Sequence, residues 1–321
     1  MKYPMLNNWL KTHENDDGTY TLTDINSGKT YKMRRELYHY LSKLDGKTHP
    51  YEINKSFSED FVDRLMDQCK DEGLIRRYRL IIDFPQIIFT LWIPKITKSL
   101  IGFAKLYNAL LRLLWWVAPA IGIYMFINNF YLSTDYMIPG YIAGTVAGML
   151  IHELSHMLTG LAYSADVYEL GLMLNFFMPG AYVMLDCDDI KNRFQKMQIY
   201  AAGIKSNIML AGIFLILSTL WYETNGFMLG AALTNLFLGI FNASLIGQLD
   251  GMMIFNEIMG TDNFISLAGD IIKNKRKRQA LIAQGVQGKA KFAACCIICS
   301  TKIVMPLIFA ANIIGVIECL V

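Results

Sequence analysis

Residues 113–134 carry no charged side chain across 22 positions. At 1.5 Å per residue that is enough apolar chain to cross a hydrocarbon layer of about 30 Å. Similar stretches follow at 136–164, 206–222 and 224–249, the last two separated by Glu223, and a fifth lies within 292–320, interrupted by Lys302. In hydrocarbon a chain must satisfy its own backbone N–H and C=O groups, so stretches of this length are read as helices. The expected fold is a multi-pass α-helical membrane protein of about five spans over 113–321.

The first 80 residues are a different material. They hold 14 Lys+Arg and 13 Asp+Glu, nearly half of all charges in a quarter of the length. This predicts a small soluble domain at 1–80, a connection at 81–112, and the membrane domain beyond. The polar N-terminus shows no secretory signal, which places the first domain in the cytosol. Lys191, Arg193, Lys196 and Lys205 fall in one connection between spans. Lys273, Lys275, Arg276, Lys277, Arg278, Lys289 and Lys291 fall in another, while 128–140 and 221–227 carry no Lys or Arg. The positive-inside rule puts both basic connections in the cytosol. Lys98, Lys105 and Arg112 recur every seven residues among Leu100, Ile101, Phe103, Leu106, Leu110 and Leu111. That pattern predicts an interfacial amphipathic helix ahead of the first span. The run at 275–278 reads as a topology signal or lipid contact. The six cysteines form no disulfide pattern: Cys69 and Cys187 stand alone, and Cys295, Cys296, Cys299 and Cys319 lie in apolar sequence.

Ionisable residues inside a span are expensive and point to function. The segment 136–164 contains His152-Glu153-Leu154-Ser155-His156, and these are the only histidines beyond residue 80. On a helix His152 and His156 share a face, as two zinc ligands require, and Glu153 beside them can take a proton from a metal-bound water. A catalytic zinc needs a third protein ligand and an open position. Leu249-Asp250-Gly251 closes the span 224–249, which runs inward, and His152 follows about 14 residues of its own inward-running helix, roughly 21 Å. Asp250 is therefore expected at the histidines' depth as the third ligand.

Over about residues 141–255 the chain resembles the site-2 proteases, intramembrane zinc metalloproteases. The matching pieces are His-Glu-x-x-His at 152–156, Ala-Gly-x-x-x-Asn at 202–207, and Asn242 eight residues before Asp250-Gly251. Residues 171–186 resemble the family's membrane-associated strand region. The resemblance implies that Glu153 is the catalytic base, that His152, His156 and Asp250 bind one zinc ion, and that Asn242 and Asn207 bind substrate. The chain departs from the family's pattern in lacking its prolines: Leu245, Gly247, Gln248 and Ile204 stand there instead. Cleaving a helical peptide requires unwinding it, and the unwound backbone needs new partners. A strand edge at 170–184 is expected to supply them by strand addition.

In the soluble part, turns at 16–18 and 26–28 separate extended runs at about 5–13, 19–25 and 29–33. Helices are expected at 34–44, 50–55 and 58–72, the last with Phe61, Val62, Leu65, Met66 and Cys69 on one face and Gly73 as its cap. Three strands followed by three helices is an α+β winged-helix pattern, which usually serves DNA. Here the third helix carries Glu59, Asp60, Asp63, Asp67, Asp71 and Glu72 against Arg64 and Lys70, and such a helix repels phosphates. No nucleic-acid partner is expected. The element order and the endings Leu44-Asp45-Gly46 and Gly73-Leu74-Ile75 resemble the PqqD-like peptide-recognition elements that serve ribosomally made, modified peptides. This resemblance implies that a precursor's N-terminal leader adds as a strand beside the third strand.

The combined expectation is a zinc endopeptidase of the cell membrane. It would recognise a precursor peptide through its cytosolic domain and cut it near the cytosolic face, alongside a peptide-modifying enzyme and an exporter. Two alternatives stay open: a regulatory protease cutting a transmembrane anti-sigma factor or signal-peptide remnant, and a non-catalytic peptide-binding membrane protein for export or immunity.

Overall fold

The computed structural model describes every residue except 1–2, 8, 25–27, 77–79, 84–85, 93–95, 130, 176–177, 246–248, 262–263, 287, 290 and 297–321. Most of the fifth expected span, most of the expected turn at 26–28, and Gly247 and Gln248 lie outside the described residues. The chain divides into two compact units, Met1–Thr97 with Asp166–Asp186, and Lys98–Ala165 with Cys187–Val321.

The first unit opens with β1 (Met5–Leu6), β2 (Leu10–Glu14), β3 (Tyr20–Asp24) and β4 (Thr30–Met33), followed by α1 (Arg35–Leu41), α2 (Pro50–Ile53) and α3 (Glu59–Asp71). Strands β2-β3-β4 form an antiparallel sheet with Tyr20 opposite Met33. Leu10, Tyr20, Leu22 and Met33 pack with Tyr40, Leu41, Val62, Leu65 and Cys69 in one core. α3 is capped by Glu72, followed by Gly73 with φ 71°, a left-handed conformation that costs glycine little. The chain then enters β5 (Ile75–Arg76), which pairs with β1.

The connection expected at 81–112 is not a linker. It begins with β6 (Leu80–Asp83) and β7 (Gln86–Trp92), and these pair antiparallel with the later strands β8 (Asp166–Asn175) and β9 (Met178–Asp186) in the order β6-β7-β8-β9. Residues 80–83 and 86–92 are near-continuous apolar runs without a period of two, so sequence alone gives no strand signal there. β8 is bonded on both sides, so among the described residues the free edges are β6 and β9, and the edge expected over 170–184 reduces to β9.

This sheet encloses a buried polar cluster. Arg76 Nη1 lies 2.7 Å from Glu169 Oε2, with the two side chains 4 % and 1 % exposed. Thr90 accepts from Arg76 at 3.0 Å and donates to Glu169 at 2.8 Å, and the Tyr182 hydroxyl donates to the same carboxylate. Trp9 lies under the guanidinium, 5.3 Å from ring centre to Cζ. Lys11 on β2 pairs with Asp186 at the end of β9 at 3.0 Å. Burying two charges is compensated only when their remaining hydrogen-bonding groups are also served; Thr90 and Tyr182 serve part of that need, and the Trp9 ring face covers the guanidinium.

The second unit is helical: α4 (Lys98–Asn128), α5 (Met137–Ala162), α6 (Arg193–Leu220), a 3₁₀ turn (Tyr222–Thr224), α7 (Asn225–Asn242), α8 (Asp250–Met259), α9 (Phe264–Lys273) and α10 (Lys275–Ile282). Among the described residues three helices are long and apolar enough to cross a membrane: Lys98–Asn128, Arg193–Leu220 and Tyr222–Asn242. The separate amphipathic helix expected before the first span is instead the beginning of α4, which runs unbroken for 31 residues. Nothing at 112–113 breaks a helix, and Ala104, Asn108 and Leu111 are buried.

α6 is central and packs on α4, α5, α7 and α8. Close approach depends on small residues, as is usual between helices in lipid. A Cβ on Gly140, Gly144 or Gly148 of α5 would overlap α7 at Phe227, Ala231 or Asn235, and one on Gly212 of α6 would overlap Pro119 of α4. Asn235 Nδ2 donates to the carbonyls of Ala231 and Gly144 at 2.9 and 3.1 Å, tying α7 to α5.

Candidate metal centre

α5 carries His152 and His156 one turn apart, both almost fully buried. Asp250 arrives differently from expectation. The span 224–249 stops as a helix at Asn242, and Asp250 is the first residue of α8 rather than the last of the span. Gly251 permits this: a Cβ there would overlap the Ala243 carbonyl oxygen, so the start of α8 can fold back against the end of α7. This close approach is the physical reason for the Asp-Gly pair.

The three side chains converge. His152 Nε2 and His156 Nε2 are 3.1 Å apart, and Asp250 Oδ2 lies 3.0 and 3.2 Å from them. Ligands bonded to a tetrahedral ion at about 2.0–2.1 Å stand about 3.3 Å apart, close to this triangle. Asp250 Oδ2 is buried and makes no hydrogen bond despite both nitrogens beside it. Two imidazole nitrogens drawn together with a carboxylate oxygen that makes no hydrogen bond match a cation's needs, so this buried group could hold a metal ion.

One face of α6 supports the two imidazoles at four-residue intervals. The Ile199 carbonyl oxygen lies 2.8 Å from His156 Nδ1 and accepts its N–H, which leaves the Nε2 lone pair facing the site. The Asn207 amide lies 3.0 Å from His152 Nδ1 through its Nδ2, with Oδ1 buried and unbonded in that orientation. The two orientations of an amide have the same shape. With Oδ1 on Nδ1–H, the oxygen gains a partner and His152 Nε2 also presents its lone pair to the site. Between them, a Cβ on Gly203 would sit within 2.5 Å of His156 Nε2 and closer still to His152. Glycine keeps that space open for an ion and for whatever approaches it.

Each expected site residue can now be placed. His152, His156 and Asp250 come together, and Glu153 sits on the same helix between the two histidines, partly buried. Asn207, expected to touch substrate, is 1 % exposed and lies against the Nδ1 side of His152, away from the converging atoms. Asn242 lies at the end of α7, and its Nδ2 donates to its own helix at Leu238 O, 3.0 Å away. Ile199 was not anticipated, and Gly203, singled out in the Ala-Gly-x-x-x-Asn stretch, had been given no role. The spacing of Gly203 and Asn207, four residues like that of the histidines, is the signal that could have given Gly203 its role; a backbone carbonyl such as Ile199's leaves no trace in a sequence. No family model matches the chain, and no curated protein or solved structure matches it significantly.

Proposed function

We propose that the chain is a zinc-dependent intramembrane endopeptidase that acts on a precursor peptide held by its N-terminal domain. One observation carries the reading. Two imidazole nitrogens and a carboxylate oxygen stand 3.0–3.2 Å apart, beside Glu153, in a unit with three helices apolar enough to cross a membrane. Two His and one carboxylate, with a fourth position open, is a ligand set of hydrolytic zinc sites, where the ion polarises a carbonyl and makes water acidic.

The chain's own groups supply the rest. His152 and His156 present Nε2 because Asn207 and Ile199 hold their Nδ1 atoms. Glu153 takes the proton of the attacking water and returns it to the amine that leaves. Gly203 leaves the approach clear. An extended peptide backbone needs donors and acceptors, and within the first unit the edge strand β9 offers a row of both. In the N-terminal domain the edge strand β4 offers another, beside α3 with Phe61 41 % exposed and with Asp60 and Asp67 at the surface. Such an edge suits a basic, partly apolar leader.

The test is the purified full chain in lipid, assayed for bound metal and for cleavage of small peptides encoded beside its gene. One zinc per chain is expected, with specific cleavage that Glu153→Gln abolishes while the metal stays bound. Protein without metal, or a Glu153→Gln variant as active as the parent, overturns the proposal.

A further inference from the structure

The segment 271–291 carries Lys273, Lys275, Arg276, Lys277, Arg278, Lys289 and Lys291 and no acidic residue. All but the partly buried Arg278 are exposed, and α10 buries none of its residues. Four of the cations occupy the first turn of α10, where the helix dipole already places positive charge and more is unfavourable. Their polar contacts return little. Lys277 pairs with the exposed Asp270 at 3.2 Å, and Arg278 reaches the Ile272 carbonyl at a long 3.4 Å. A local rule broken with no internal gain points to an external partner.

The apolar side of the segment adds a second observation. Phe264, Ala268, Ile271 and Cys295 form a small core with Leu281 and Phe292 packed on it, so this part is folded rather than a charged tail. α10 stops before Gly285, whose φ of 78° turns the chain. The turn presents Val286 at 85 % exposure, with Lys289 and Lys291 just beyond. An apolar side chain projecting among cations, with no carboxylate between them, matches a leaflet of anionic phospholipid: phosphates outside and apolar chains beneath.

We propose that 273–291 is a docking surface for an anionic phospholipid leaflet, with the cations on headgroup phosphates and Val286 entering the apolar edge. The surface shares no residue with the metal centre, and the proposal does not depend on any hydrolysis there.

The experiment uses the full chain in nanodiscs, with an environment-sensitive fluorescent amino acid at position 286 and nitroxide-bearing lipids as quenchers. Discs of phosphatidylcholine alone are compared with discs that also contain phosphatidylglycerol. Quenching is expected to rise about twofold or more in the anionic discs and to fall back at about 0.5 M salt, where screening is strong. These arms need no charge substitution. In the variant Lys275→Gln, Arg276→Gln, Lys289→Gln, Lys291→Gln, quenching in anionic discs should drop to the neutral-disc level, since each surface cation is worth roughly fivefold in partition. Equal quenching in neutral and anionic discs overturns the proposal. So does a single-stranded RNA that shifts the probe at physiological salt when anionic lipid does not, since the surface would then serve a nucleic acid.

Discussion

Gly203→Ala tests the metal centre at its least forgiving point. The added methyl carbon would sit within 2.5 Å of His156 Nε2 and closer to His152, whereas non-bonded heavy atoms settle near 3.5 Å. Relief needs a movement of about 1 Å. The imidazoles are not free to supply it, because the Ile199 carbonyl and the Asn207 amide hold their far sides at 2.8 and 3.0 Å. A metal site tolerates about 0.2 Å of ligand displacement, and losing one supporting hydrogen bond alone costs about 10–100-fold in affinity. The expected loss for Gly203→Ala is therefore at least about 100-fold, close to complete loss of metal from purified protein. The assay is metal content by mass spectrometry and retention against a graded chelator, with folding checked by thermal unfolding of the same samples. Gly269→Ala is the control: it lies within α9, and nothing stands within 4 Å of where the new methyl would go, so metal retention should match the parent. Parental affinity in a folded Gly203→Ala protein would refute the geometry on which the centre rests.

Two further outcomes follow from particular contacts. Asn207→Leu removes the acceptor on His152 Nδ1 and should weaken metal binding about 10–100-fold, while Asn207→Asp, still able to accept that proton, should recover most of it; chelator competition on the three proteins checks both, and equal loss in the two variants would mean the amide does not set the tautomer. Arg76→Met strands the Glu169 carboxylate, 1 % exposed, and should cost about 3–5 kcal/mol, whereas Arg76→Met with Glu169→Leu should cost far less; hydrogen exchange of β7–β9 in the full chain reads the difference, and a double variant as damaged as the single one would contradict it.

Of the five spans expected, the sequence by itself carried three membrane-type helices among the described residues, and it carried the pair of imidazoles, because both are local. An uncharged run of 22 residues has little choice of conformation in hydrocarbon, and a four-residue spacing on a helix puts His152 and His156 on one face whatever surrounds them. The helices and most of the strands of residues 10–72 were legible for the same reason, since turn residues and apolar periodicity are read a few positions at a time; the single run expected at 5–13 is instead two strands, because Met5–Leu6 pairs with the distant β5. What lay beyond reach depended on residues far apart in the chain. β7 becomes a strand by pairing with β8, and its apolar run reads equally as an approach to a span. Asp250 could be matched in depth, but its place as the first residue of a new helix depends on Gly251 meeting the Ala243 carbonyl. Asn207 carried the same residue type in either role; only the packing of α6 on α5 turned it from a substrate contact into a support for His152. Local pattern names the groups that can do chemistry, but their distances, their tautomers and the space between them are properties of packing, which no single segment encodes.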